Sequence, residues 1–146
     1  MNNLELKMIH SKHSLRVRYA ETDPMKYVYY GNYATYFELG RVELFRSIGI
    51  SYDEIEKQGI WLPVSDYKIK YLKPALYDQK LEIHTFMKKI PGVRIEFEYE
   101  IYNENGIKIT EASTTLFFLN SETQKVIKCP DFLMKLIEEN WKEENH

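Results

Sequence analysis

The sequence predicts an α+β domain, one long helix with an antiparallel sheet following it along the chain. Three observations carry this. Tyr33, Tyr36, Phe37, Gly40, Leu44 and Ile48 recur at spacings of three and four, one side of a 3.6-residue period. Residues 94–102 alternate, with Ile95, Phe97, Tyr99 and Ile101 on one face and Arg94, Glu96, Glu98 and Glu100 on the other, the period of a half-buried strand. The elements come as one strand, two helices and then four strands, so helical and extended segments are grouped rather than interleaved.

Taken in order, residues 1–13 are polar and without period and read as a frayed lead-in. Residues 15–20 alternate apolar with basic side chains and form a strand that delivers the chain to Asp23. In the long helix, Asn32 is placed to cap the first turn with its side-chain oxygen, and Gly49 to close the last turn in the left-handed region. Thr35, Glu38 and Arg41 form a thin polar stripe, whereas Ala34, Leu39, Val42 and Phe45 carry apolar character onto the flanks, as expected of a helix enclosed by the fold. At 1.5 Å per residue its length is roughly 25 Å. Ser51 with Glu54 is a capping-box pattern opening a short helix that ends at Gly59.

Strands follow. Tyr67, Ile69 and Tyr71 alternate with Asp66, Lys68 and Lys70 until Pro74, which has no N–H to give a ladder. Leu81, Ile83 and Met87 continue the period to Ile90, and Pro91-Gly92 turns the chain. Asn103-Glu104-Asn105-Gly106 is a hairpin turn by composition. Residues 107–120 return as a strand, apolar on both faces near Leu116 and therefore central in the sheet. Pro130 opens a final helix in which Phe132, Leu133, Leu136, Ile137 and Trp141 share a face that docks on the domain.

The 146 residues fit one domain, 1–146. Twenty basic against twenty-two acidic side chains give a net charge of −2, which calls for no nucleic-acid partner. A nucleic-acid platform on residues 67–71 is disfavoured because alternation puts its tyrosines and lysines on opposite faces. The single cysteine, Cys129, excludes an internal disulfide and suits a reducing compartment. No stretch approaches the ~20 apolar residues of a membrane span, and the polar side of the final helix carries Glu138, Glu139, Glu143 and Glu144 rather than a basic cluster. The expectation is a soluble, cytoplasmic protein without stable membrane insertion.

Several chemistries are excluded by inspection. The chain has no Gly-x-x-x-x-Gly-Lys-Ser/Thr loop, no Gly-x-Gly-x-x-Gly and no Gly-x-Ser-x-Gly. Cys129 has no histidine near it in sequence. His10 and His13 have ligand-like spacing but no accompanying cysteine or acid. No metal or cofactor is implied, and His84 reads as a surface residue between Glu82 and Lys88. What remains is Asp23. Thr-Asp-Pro is ordinary turn chemistry, with the aspartate bonding its own backbone. Yet Tyr19, Tyr27, Tyr29, Tyr30, Tyr33 and Tyr36, half of the twelve tyrosines, lie in or beside this stretch. Such a cluster is either a core seam or a pocket wall. A helix start next to a carboxylate also offers free amides and partial positive charge to a developing anion.

The run Tyr19-x-Glu21-Thr22-Asp23, then Val28-Tyr29-Tyr30-Gly31-Asn32-Tyr33, Tyr36-Phe37-Glu38 and Gly40-Arg41-x-Glu43, resembles the signature of the hotdog-fold acyl-CoA thioesterases of the 4-hydroxybenzoyl-CoA thioesterase class, including the small thioesterases linked to the Tol-Pal system. The likeness is dense over residues 16–43 and looser to about 120. It implies a five-stranded antiparallel sheet wrapped around the long helix, a homodimer or homotetramer, and active sites between two subunits. It also implies Asp23 as the catalytic carboxylate and the Tyr30 N–H as the donor that polarises the thioester carbonyl, with Tyr29, Tyr33 and Glu38 in the substrate site. Glu38 has a second reading, an ion pair with Arg41 three residues on. Members of the class commonly have Gly where this chain has Lys26, Val or Ile where it has Tyr27, and in some cases His where it has Tyr30.

The resulting expectation is hydrolysis of an acyl-CoA to free acid and CoA, with Asp23 either attacking the carbonyl to give an anhydride or deprotonating water. Lys88, Lys89 and Arg94, around the Pro91-Gly92 turn, are the candidates for the CoA phosphates. The alternatives are an acyl carrier protein thioesterase and a non-catalytic acyl-CoA-binding protein.

Overall fold

A computed structural model describes the backbone of residues 5–145 and the side chains of 7–142. The elements are β1 (Glu5–Arg16), α1 (Tyr33–Ser47), α2 (Tyr52–Lys57), β2 (Ile60–Trp61), β3 (Val64–Tyr71), β4 (Lys80–Met87), β5 (Arg94–Tyr102), β6 (Lys108–Asn120), β7 (Val126–Ile127), α3 (Asp131–Glu139) and β8 (Lys142–Asn145). The strands form one sheet in the order β2–β6–β5–β4–β1–β8, with β3 and β7 also paired to β6. Every ladder is antiparallel. Helix α1 lies against β1, β4 and β5.

The five expected strands are present as β1, β3, β4, β5 and β6, and the sheet has three short additions. β2 and β7 hold two residues each and β8 four, too few to show a period in sequence. The lead-in is corrected. Of residues 1–13, those from Glu5 onward belong to β1, which pairs with β4 from Ile9 to Arg16 and with β8 from Glu5 to Met8; residues 1–4 lie outside the described residues. Conversely, residues 19–21 make a 3-10 turn instead of extending the strand. Trp141 lies past the end of α3, but the docked face is the expected one: Leu133 and Ile137 are buried, and Phe132, Leu136 and Trp141 pack half-buried against the same core.

β5 alternates as its sequence requires, and β4 turns Leu81, Ile83, Thr85 and Met87 inward. Against these, α1 places Phe37 on Tyr99, centroids 4.5 Å apart, and Phe45 edge-on to Phe97 at 5.9 Å. β3 is different. It is exposed along nearly its whole length; β6 bonds one of its edges and no described strand pairs the other.

The ends of the helices follow local rules with one exception. Gly49 takes φ +101°, and Ile50 N–H donates to Phe45 O at 3.1 Å while Gly49 N–H donates to Arg46 O at 3.0 Å, a Schellman closure. Ser51 and Glu54 form the reciprocal capping box. Asn32, however, gives α1 no side-chain cap. Its Nδ2 donates instead to Glu21 O at 2.8 Å.

Gly40 sets how closely α1 approaches the sheet. A Cβ there would overlap Thr85 Oγ1 and lie 3.3 Å from Ile83 Cγ2, and Thr85 Oγ1 is itself buried without a hydrogen-bond partner among the described residues. Thr85 is β-branched and stiff, so it cannot swing aside. Gly40→Ala is therefore expected to lower the thermal midpoint, overpacking of ~1–3 kcal/mol exceeding the ~1 kcal/mol gained in helix propensity. Thr85→Ala added to it should recover most of the loss. A Gly40→Ala protein that melts at or above the parent by circular dichroism contradicts this packing.

Candidate active site

Loop residues 17–28 cross one end of the sheet, where Val17 N–H donates to Gln79 O at 2.9 Å and Asp78 N–H returns a bond to Val17 O at 3.0 Å. The turn at 23–27 closes with Lys26 N–H to Asp23 O at 2.8 Å and Asp23 N–H to Tyr27 O at 2.8 Å. It is tied to the segment before β4 by Val28 N–H to Ala75 O at 2.8 Å and Tyr77 N–H to Lys26 O at 2.9 Å. Lys26 sits at φ 67°, a left-handed conformation that glycine adopts freely and that costs a side-chain-bearing residue roughly 1–2 kcal/mol.

Asp23 is half-buried. Its Oδ1 accepts Met25 N–H at 2.9 Å and Tyr27 N–H at 3.2 Å, an Asx turn that fixes the carboxylate plane. The turn thus occupies Oδ1 and leaves Oδ2 without a partner among the described residues.

Glu21, two residues earlier, is saturated. Its Oε1 accepts Arg18 N–H at 2.9 Å and the Tyr36 hydroxyl at 2.8 Å, and its Oε2 accepts Arg18 Nε at 2.9 Å and Nη2 at 2.6 Å. Burial opposes its charge, but the Arg18 backbone and guanidinium bonds and the Tyr36 hydroxyl outweigh it and hold the carboxyl below the usual carboxylate range. Burial and this carboxylate push the Tyr36 hydroxyl far up. The Glu21 backbone carbonyl accepts Tyr29 N–H at 2.9 Å as well as Asn32 Nδ2.

A 3-10 turn, Tyr30–Asn32, leads into α1. Among the described residues no acceptor takes the Tyr30 or Gly31 N–H, the first amides of that turn. The Tyr29 and Tyr30 rings, 4.6 Å apart between centroids, are both exposed. Tyr33 is not on the same wall: it is 2% exposed and packs edge-on to Tyr36 and Tyr71, so in one chain it is a core residue.

Glu38 is exposed on α1, and no ion pair joins it to Arg41 among the described residues. Arg41 instead turns inward, 7% exposed, donating from Nε to the Tyr52 hydroxyl at 3.2 Å and from Nη1 to the Tyr99 hydroxyl at 3.0 Å. The polar stripe expected on the helix is thereby narrowed to Thr35 and Glu38. Glu38 lines a groove of about 380 Å³ with Tyr52, Ile55, Trp61, Leu62 and Pro63.

Lys88, Lys89 and Arg94 stand at the far end of β4 from the Asp23 turn, whose loop meets the Lys80 end. Over β4 that separation is about 23 Å at ~3.3 Å per residue. Lys88 pairs with Glu98 at 3.2 Å and Lys89 with Glu96 at 3.5 Å, while Arg94 lies over the Phe117 ring. A groove of about 740 Å³ beside them runs over the outer face of the sheet, lined by Lys68, Lys70, Lys88, Glu96 and Glu98, and reaches neither Asp23 nor Tyr30.

Four further residues find different settings. His10 Nε2 lies 2.9 Å from His84 Nδ1, and His84 Nε2 lies 2.7 Å from Glu82 Oε1; His13, three residues from His10 on a strand, points to the opposite face. No group of three His, Cys, Asp or Glu among the described residues could hold a metal. Burial pushes the Cys129 thiol up to about 12, so it is no nucleophile. Among the described residues no helix is long and apolar enough to cross a membrane.

A Glu21 carboxyl held low confers stability that is fully present above its unfolded pKa, ~4.3, and that fades as pH falls through the folded value, because the unfolded chain then binds the additional proton. The thermal midpoint of Glu21→Gln is therefore expected to lie furthest below that of the parent near pH 7, the gap narrowing below about pH 4. A gap of constant size from pH 3 to pH 7 contradicts it.

The chain's relatives point to one chemistry. It is 36% identical over 118 residues to a Bacillus subtilis (strain 168) protein named "Putative acyl-CoA thioesterase YneP", covering 81% of this chain and 86% of that one. It is 29% identical over 98 residues to the acyl-CoA thioester hydrolase YbgC of Escherichia coli, covering 67% and 73%. A DHNA-CoA thioesterase structure from Staphylococcus aureus superposes with a TM-score of 0.79 at 40% identity, over 82% of this chain and 80% of that one. The model of the thioesterase-like superfamily matches residues 17–137, and with the long helix laid across an antiparallel sheet this chain belongs to that superfamily and has its hotdog fold.

Proposed function

We propose that this protein hydrolyses an acyl-CoA thioester to a free acid and CoA at the Asp23 turn. The observation that carries the reading is the pairing of two incomplete groups: a carboxylate with Oδ2 open and Oδ1 fixed, and a helix start whose Tyr30 and Gly31 amides lack acceptors. The Thr22–Val28 bridge and the Tyr29 N–H bond to Glu21 O hold the two segments side by side.

In this reading the thioester carbonyl oxygen accepts the Tyr30 N–H, and negative charge developing on it is stabilised by a donor already aimed, worth ~3 kcal/mol of barrier. Asp23 Oδ2 either attacks the carbonyl carbon, expelling CoA thiolate and leaving an anhydride for water to open, or takes a proton from the attacking water. Labelled oxygen from solvent found in Asp23 after one turnover identifies the first route, with water opening the anhydride at the aspartyl carbon. Label confined to the product is given by the second route and equally by opening at the acyl carbon, so those two are separated by trapping the anhydride with hydroxylamine.

The acyl group follows the exposed face of α1 from Tyr30 past Ala34 to Glu38, eight residues or about 12 Å along the axis, into the groove edged by Trp61 and Leu62. The turn itself is open, with residues 24–27 exposed, and a second subunit closes it. A homodimer or homotetramer is favoured by β3, which carries Val64, Tyr67 and Tyr71 exposed on an edge that no described strand pairs and that invites another strand. Lys88, Lys89 and Arg94 serve CoA phosphates only if a partner subunit brings that hairpin to the mouth. Cytoplasm is the compartment of this reading, since the free Cys129 is kept as a thiol there.

Thiol release from a panel of acyl-CoAs tests the proposal. Asp23→Asn should lower kcat/KM by about 10²–10⁴-fold with the fold intact. Equal rates in both proteins, or binding without turnover in either, reject catalysis by Asp23. Faster turnover of the same acyl group on acyl carrier protein than on CoA transfers the activity to that carrier.

A further inference from the structure

The roles given above to Asp23 and Tyr30 require that their separation be fixed, although Asp23 sits half-buried in a loop and Tyr30 exposed at the start of a 3-10 turn, both outside the sheet and α1. A misplacement of about 1 Å at such a pair costs on the order of 10²-fold in rate. The turn cannot supply that rigidity alone, because it contains Lys26 in a left-handed conformation, which persists only where the surroundings over-determine it. One residue touches every segment involved. Glu21 precedes Asp23 by two positions; its carbonyl holds Tyr29, the residue before Tyr30, and Asn32, the residue before α1; its carboxylate holds Arg18 where the chain leaves β1, and Tyr36 in the second turn of α1.

We propose that Glu21, anchored by the Tyr36 hydroxyl, is a positioning residue that sets the distance between the Asp23 carboxylate and the Tyr30 amide. Tyr36 is 1% exposed and belongs to the buried face of α1, so its hydroxyl is a fixed point that the sheet packing defines. Glu21 clamps the loop to it. Glu21 does not act on substrate: four donors occupy its two oxygens, leaving neither oxygen open in the way Asp23 Oδ2 is. The inference rests on the thioesterase reading for the roles of Asp23 and Tyr30, while the clamp itself stands on geometry.

The test combines two measurements on Tyr36→Phe, Glu21→Ala and Glu21→Gln, each assayed well below its melting temperature. Tyr36→Phe keeps the packed ring and removes only the donor. With the best acyl-CoA, Tyr36→Phe and Glu21→Ala are expected to lose about 10–100-fold in kcat with KM within about twofold, and Glu21→Gln, whose amide oxygen still accepts the Tyr36 hydroxyl, to retain more kcat than Glu21→Ala. In hydrogen exchange read by NMR, the Met25 and Tyr27 amides, which donate to Asp23 Oδ1, should exchange several-fold faster in Tyr36→Phe, with the amides of β5 unchanged. Unaltered kcat, an equal rise in KM, or a uniform acceleration of exchange through β5 overturns the proposal. If the parent turns over no acyl-CoA, the thioesterase reading falls by itself, and the exchange measurement alone then decides whether Glu21 and Tyr36 hold the turn.

Discussion

Helix α1 can lie where it does only because position 40 carries no side chain: Thr85 Oγ1 and Ile83 fill the space a Cβ would need. With the helix that close, Phe37 reaches Tyr99 and Phe45 reaches Phe97, and the apolar rows of β4 and β5 acquire a lid. Burial of this aromatic area, together with the Ile and Leu rows it covers, is the main favourable term in such a core. The same contact fixes the start of the helix relative to the end of the sheet, and the loop carrying Asp23 is suspended between those two points.

Two carboxylates two residues apart therefore meet opposite fates. Glu21 faces the helix and the departing strand, and every lone pair it presents there finds a donor. Asp23 faces the turn, which has only two amides to offer, both taken by the same oxygen. Hydrogen bonding to the charged form is what separates a structural carboxylate from one left with capacity for chemistry. Buried Arg41 follows the logic of Glu21 in the opposite sign, its charge spread onto the hydroxyls of Tyr52 and Tyr99, the latter also sharing a hydrogen bond with the Thr114 hydroxyl at 2.6 Å.

Features governed by neighbours in sequence were legible before the structure. The alternation of β5, the Ser51–Glu54 capping box, the Gly49 closure and the enclosed row of α1 are each set by residues within a few positions. What could not be read depends on partners distant along the chain. β1 looks aperiodic because its His10, Lys12 and Ser14 are matched not to a core but to Phe86, His84 and Glu82 across the ladder. Arg41 reads as a surface cation until Tyr99, 58 residues away, is placed above it. Asn32 has the composition of a cap and serves as a tether, since a carbonyl from the preceding loop competes for its amide. At the candidate site, Asp23 and Tyr30 are proposed from the motif, whereas the Glu21–Tyr36 bond needs the helix and the loop brought together in the fold. The placement of the turn and the basic hairpin at opposite ends of β4, roughly 23 Å of strand apart, is likewise a property of strand direction, which spacing in sequence does not reveal.

The pairing of β1 with β4 bears on how the chain is made. His10 and His84 are 74 residues apart, and at ~5–20 residues per second of synthesis β1 waits several seconds for its first long ladder partner. Through that interval α1 also has no sheet to cover Phe37, Leu44 and Phe45. A nascent chain in this condition presents unpaired backbone and a greasy helical stripe together, the combination that folding helpers on the ribosome engage, and completion of β4 and β5 is the moment at which both are withdrawn.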